Sequence, residues 1–117
     1  MPKKILIIDD EDDIITFLET LFKKHGYETS IARNGVQAMK MVEGFVPDLI
    51  TLDLQMPQNT GTDFYRNLRK DDKLKDIPII VISGLPGRHL ALPQPAAVFD
   101  KPIDPDKLLD AVEAAIQ

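Results

Sequence analysis

Residues 4–13 read Lys-Ile-Leu-Ile-Ile-Asp-Asp-Glu-Asp-Asp, an apolar run from Ile5 to Ile8 that ends abruptly on the carboxylates of Asp9 and Asp10. An unbroken run of this kind suits a strand buried on both faces, as found in parallel sheets covered by helices. The pattern recurs along the chain. Leu49 to Leu52 closes on Asp53, Ile79 to Ile82 closes on Ser83, and Ala97 to Phe99 leads to Lys101 with Pro102 behind it. In a parallel sheet these run ends share one edge, so three carboxylates, a hydroxyl and an ammonium are expected to meet there. Such a set suits a divalent cation and a phosphoryl group.

Between the runs lie segments of helical period. After the first, Ile14, Phe17, Leu18, Leu21 and Phe22 define an apolar stripe, and His25-Gly26 ends the helix with glycine suited to a left-handed position. A second strand is predicted over Glu28 to Ala32, and Asn34-Gly35 opens a shorter helix with Ala38, Met39 and Val42 on one side. Asp48 to Asp53 reads as a central strand, followed by a polar loop to Gly61 and a helix carrying Phe64 and Leu68 to about Lys70. The last helix is expected to start with Asp104 as N-cap and Pro105 in the first turn, with Leu108, Leu109, Val112 and Ile116 facing inward. Alternating strands and helices predict an α/β fold, a doubly wound, five-stranded parallel sheet with helices on both faces; the order 2-1-3-4-5 is taken over from the flavodoxin-like fold that this pattern resembles. Pro86, Pro93 and Pro95 interrupt the segment between Ser83 and Lys101, so the fourth helix of such a fold is expected to be short, distorted or absent.

Length and composition bound the function. The 117 residues, 44% of them hydrophobic, predict one domain over residues 1–117 with no appended effector. Asp and Glu number 19 against 14 Lys and Arg, a net charge of -5 with no basic stretch, which argues against direct nucleic-acid binding. Cysteine is absent, so neither disulfides nor thiolate metal sites are available. No apolar run approaches the ~20 residues of a membrane helix, and a cytoplasmic location is expected, with no membrane association.

Adjacent strands 1 and 3 would bring Asp9, Asp10 and Asp53 within several Å, and like charges that close need a counterion. An oxygen-only donor set favours Mg²⁺ (or Mn²⁺) over zinc, with the backbone carbonyl of Gln55 placed to complete the shell. Asp53 is then the candidate nucleophile toward phosphorus. Lys101 supplies charge to phosphoryl oxygens and Ser83 a hydroxyl donor. Asp12 and Asp13 read instead as first-turn acids complementing a helix dipole, and Asp100 as a surface charge. His25 and His89 lack a carboxylate partner at a recognisable spacing and are given no functional role.

The residues Ile7-Ile8-Asp9-Asp10-Glu11, Asp53-Leu54-Gln55-Met56-Pro57 with Gly61, Ile80-Val81-Ile82-Ser83-Gly84 and Lys101-Pro102 follow one another in this order over the whole chain. In this the chain resembles the receiver domain of bacterial two-component response regulators, the CheY-like family. The resemblance implies that Asp53 accepts a phosphoryl group from a histidine kinase or phosphotransfer protein, with Asp9 and Asp10 holding the metal. It further implies that Ser83 is a switch hydroxyl, that Lys101 contacts the phosphoryl group and that the Lys101-Pro102 peptide is cis. The output would be binding to a downstream effector protein or domain, with a homodimer allowed. The domain would catalyse only its own phosphorylation and dephosphorylation.

Two departures stand out. The family's aromatic residue three places before the lysine is here Val98, and Phe99 should face the opposite side of the sheet. The Ser83–Lys101 interval is also shorter than usual, which leads to the expectation that phosphorylation is reported by the loop from Gly84 to Pro95. Gln55 and Leu85 are expected to tune acyl-phosphate lifetime in opposite senses, the amide by orienting a water and the leucine by excluding one. Two alternatives are a non-phosphorylated pseudo-receiver and a Mg²⁺-dependent phosphohydrolase with an Asp nucleophile. The hydrolase would want a second acid where Gln55 stands, and the pseudo-receiver would normally lack part of the acidic set.

Overall fold

The computed structural model describes residues 2–56, 60–84 and 95–116. Its strands are β1 (Lys4–Ile8), β2 (Glu28–Ala32), β3 (Leu49–Asp53), β4 (Ile79–Ser83) and β5 (Ala97–Asp100). The helices among these residues are α1 (Asp12–Lys24), α2 (Gly35–Gly44), α3 (Thr60–Lys70) and α4 (Pro105–Ile116). The five strands are parallel, as the run pattern predicts, and ordered β2-β1-β3-β4-β5, the order of the flavodoxin-like fold. Residues 85–94, where a short or missing helix is expected and where Leu85 and His89 fall, lie outside the described residues. Among the described residues, no helix is long and apolar enough to cross a membrane.

Successive strand residues face opposite sides, and the apolar runs therefore divide into two cores. Leu6, Ile8, Ile50, Leu52, Ile79 and Val81 pack with Ala38 and Val42 of α2 and Phe64, Tyr65 and Leu68 of α3. Ile5, Ile7, Leu49, Ile80 and Ile82 pack on the other side with Leu18 and Phe22 of α1 and Leu108, Leu109 and Val112 of α4. Every residue of β3 and β4 is buried, which explains why neither strand carries an alternating polar pattern.

Local signals place the helices. The Asn34 side chain accepts from the Gln37 N–H at 2.8 Å, capping α2. Asp104 does the same for α4, accepting from Asp106 and Lys107 N–H groups at 3.0 and 3.2 Å. Gly26 takes a φ of 88°, the left-handed conformation that lets the chain leave α1 and turn into β2.

β1 ends with its apolar run at Ile8, and the Asp9 N–H still donates to Ala32 O at 3.1 Å. Two sequence expectations shift. Strand 3 starts at Leu49 because Asp48 turns its carboxylate onto the Lys4 N–H at 2.8 Å. On α1 the buried positions are Ile15, Leu18 and Phe22, with Ile14 and Leu21 partly buried, whereas Phe17 is exposed. The centre of the apolar face lies near Leu18, and Phe17, one residue back and about 100° round the helix, falls at its margin. Tyr65, which carries no prediction, is fully buried.

The two cores make different local losses measurable. Truncating Leu52→Ala in the α2–α3 core is expected to lower unfolding free energy by about 3 kcal/mol in urea titration, and Asn34→Ala by about 1 kcal/mol through loss of the α2 cap.

Candidate functional site

The exits of β1, β3, β4 and β5 converge at one edge of the sheet. Asp9 and Asp53 are both almost completely buried there, as is Ser83. Each of the two aspartates divides its oxygens in the same way. Asp9 Oδ1 accepts the Glu11 N–H at 2.9 Å, and Asp53 Oδ1 accepts the Gln55 N–H at 2.9 Å. These bonds across two residues are Asx turns, which aspartate forms readily where a strand gives way to a loop. The second oxygens are left for the site: Asp9 Oδ2 lies 3.8 Å and Asp53 Oδ2 3.6 Å from Lys101 Nζ. Asp53 Oδ2 accepts no hydrogen bond from the described residues although it is buried.

Lys101 is brought to this point by β5. Its N–H donates to Ser83 O at 3.0 Å, continuing the β4–β5 pairing beyond Ser83 and Asp100, and the Lys101-Pro102 peptide is cis. Its ammonium donates to Glu11 Oε1 at 3.1 Å as well as facing the two aspartates. Burial works against the charged ammonium, but Glu11, Asp9 and Asp53 together outweigh it, so the lysine pKa rises and its charge is held.

The carboxylates feel the opposite pressure. Desolvation raises Asp9 to about 6, opposed by the Glu11 N–H and by Lys101 and reinforced by the charges of Asp53 and Glu11. Desolvation likewise raises Asp53, against the Gln55 N–H and Lys101, with Asp10 adding repulsion. A buried anion pair with one ammonium between them is thus short of positive charge.

Oxygen atoms of Asp9, Asp10, Glu11 and Asp53 all lie within 4.8 Å of one another. An oxygen-only set of this density, with the Asp53 Oδ2 atom buried and lacking a hydrogen-bond donor, fits a hard divalent cation such as Mg²⁺. Asp9, Asp10 and Asp53 therefore stand together as the sequence predicts. Glu11 is the member that sequence reading left without a role. Its signal was present in the run Asp9-Asp10-Glu11, but only the Asx turn on Asp9 folds the chain so that Glu11 reaches Lys101.

Asp12 lies outside the cluster and pairs with Arg33 at 2.6 Å, and His25 Nδ1 bonds Leu21 O at 2.9 Å within the end of α1. Asp100 is exposed. Val98 packs against the α2–α3 core and Phe99 against the α1–α4 core, so the aromatic ring does not take the place of the missing one. The Gln55 carboxamide, expected to be available to a water, is engaged: its Oε1 accepts the Gly84 N–H at 2.6 Å.

A doubly wound parallel α/β domain with a buried acidic cluster and a lysine at the carboxyl edge of its sheet belongs to the class of domains that carry their site at that edge. The family described as "Response regulator receiver domain" matches residues 5–113, and the chain belongs to it. It is 34% identical to protein Rrf1 of Nitratidesulfovibrio vulgaris over 99% of this chain and 84% of that protein. It is 30% identical to the polar-differentiation response regulator DivK of Brucella anthropi, over 97% and 96% of the two chains. Among solved structures, the receiver domain of sensor histidine kinase PA1611 from Pseudomonas aeruginosa superposes with a TM-score of 0.90 over 99% of this chain and 98% of that one. At 21% identity that likeness speaks to the fold; the PA1611 domain was solved with a magnesium ion coordinated in its active-site cleft.

The raised pKa of Asp9 has a sign that can be tested. A carboxyl that holds its proton more tightly folded than unfolded loses stability as pH rises from its unfolded value near 4 through its folded value of about 6. In the absence of divalent cations, Asp9→Asn is expected to match the wild type below pH ~4 and to become the more stable protein as pH rises. The gap should approach about 3 kcal/mol above the folded pKa, read from urea titrations across the pH range.

Proposed function

We propose that this receiver is a phosphorylation switch in which Asp53 is the phosphoacceptor. The observation that carries the reading is the buried Asp53 Oδ2, without a hydrogen bond among the described residues and 3.6 Å from the Lys101 ammonium. An isolated buried carboxylate oxygen is costly, and its retention beside a lysine suits a nucleophile. A carboxylate oxygen of Asp53 attacks phosphorus of a phosphohistidine, the O–P bond forms as the N–P bond breaks, and the leaving imidazole nitrogen keeps the bond pair and takes a proton.

Asp9, Asp10 and Asp53, with the Gln55 carbonyl, would hold Mg²⁺ or Mn²⁺. The cation would neutralise charge on the transferring phosphoryl oxygens. Lys101 provides a second, fixed positive charge, and Ser83, at the exit of β4 next to β5, supplies a hydroxyl to the same group. The Asx turn from Gln55 keeps the Asp53 carboxylate oriented without a catalytic base. Catalysis is then positioning and charge neutralisation, confined to the domain's own phosphorylation and dephosphorylation.

The donor would be a histidine kinase or phosphotransfer protein in the cytoplasm and the receiver of the signal a downstream effector protein or domain. A phosphohydrolase reading is disfavoured because Gln55, where a second acid would stand, carries no titratable group and its amide oxygen is bonded to Gly84.

Incubation with a small phosphodonor and Mg²⁺ is expected to add one phosphoryl group per chain, seen as an intact-mass increase that EDTA prevents and Asp53→Asn abolishes. Continuous turnover of the donor far beyond the slow rate of self-dephosphorylation would favour the hydrolase, and absence of labelling the pseudo-receiver. Lys101→Ala should slow labelling roughly 100-fold, as removal of one preorganised charge donor does in other active sites, while leaving the labelled residue the same.

A further inference from the structure

We propose that the Gln55 carboxamide is a latch on the Gly84 N–H: in the resting protein it occupies a donor that an oxygen of the Asp53-bound phosphoryl group takes over. Gln55 is then a positioning residue that sets how readily the site accepts the group. The inference rests on the phosphoacceptor reading of Asp53.

Four observations support the latch. Gln55 Oε1 accepts the Gly84 N–H at 2.6 Å, joining the loops that leave β3 and β4. The base of the same residue is tied to the acceptor, since the Gln55 N–H donates to Asp53 Oδ1 at 2.9 Å. The strands are paired with Asp53 opposite Ile82, so Gly84 emerges just beyond Ser83 at the same edge as the carboxylate. A Cβ on Gly84 would overlap Gln55 Oε1 outright and sit 3.2 Å from its Cδ, so glycine is the residue that lets the carboxamide seat.

An N–H group bonds an anionic oxygen roughly twice as strongly as a neutral amide oxygen. A phosphoryl group on Asp53 therefore competes successfully for the Gly84 donor, but only after the neutral bond is surrendered. The net worth of a neutral hydrogen bond corresponds to a factor of about two to ten in an equilibrium constant. Removing the latch by either of two routes should return that factor. Gln55→Ala deletes the acceptor. Gly84→Ala leaves the carboxamide in the chain and displaces it sterically; Gly26 is the described glycine with positive φ, so the Gly84 backbone accepts alanine.

The experiment measures beryllofluoride affinity of the full chain at saturating Mg²⁺ by calorimetry, with amide spectra recorded on the same samples. Each single variant is expected to bind about two- to tenfold more tightly than wild type. The double variant should bind no more tightly than the singles, because both remove one shared bond. Unchanged or weaker binding in both single variants, with wild type binding normally, overturns the latch and leaves Asp53 as acceptor; so do effects that multiply in the double variant. If wild type binds no beryllofluoride, the phosphoacceptor reading fails and the latch falls with it.

Discussion

The Lys101 ammonium, held among the carboxylates of Asp9, Glu11 and Asp53, is the interaction on which the rest of the site depends. Two of these carboxylates are buried, and lost hydration favours their protonation, reinforced by the charge of Asp53 at Asp9 and by that of Asp10 at Asp53. One ammonium offsets part of this. It can do so only because β5 lies against β4 and delivers Lys101 next to Ser83. The sheet order is thus a condition for having charge at this edge at all.

What remains uncompensated is negative charge. Burial and the crowding of carboxylates weaken the fold at this edge, and an oxygen-rich anionic pocket of this kind suits a hard divalent cation. The two Asx turns keep this arrangement rigid. Because Oδ1 of Asp9 and of Asp53 is committed to a backbone N–H, each Oδ2 is aimed into the site without a choice of rotamer. The loops that carry Glu11 and Gln55 are thus tied by backbone N–H groups to the same two carboxylates that line the acidic cluster.

The strand that delivers Lys101 divides its side chains between the two faces. Val98 is small and packs against the α2–α3 core, while Phe99 packs against the α1–α4 core on the opposite face. Strand alternation makes this separation unavoidable: a shift of one residue sends a side chain to the other face. A contact that joins the loop after Asp53 to the exit of β4 is instead polar and short, from Gly84 to the Gln55 side chain. A hydrogen bond to a backbone N–H responds to a competing anion more directly than a packed ring does.

The sequence by itself determined the sheet, because runs buried on both faces need no tertiary information to be read as central strands. It also determined the identity of Asp9, Asp10, Asp53, Ser83 and Lys101 as a group, since parallel strands that end in polar residues must present them at one edge. The Asn34 and Asp104 caps and the turn at Gly26 were equally local. Tertiary structure alone decided the pairings across long separations in the chain. Phe17 was left outside because the face of α1 is set by how the helix lies on the sheet, not by which residues are apolar. Glu11 became a partner of Lys101, and Gln55 a partner of Gly84, because turns at two strand ends brought these side chains to groups that sequence spacing keeps far apart.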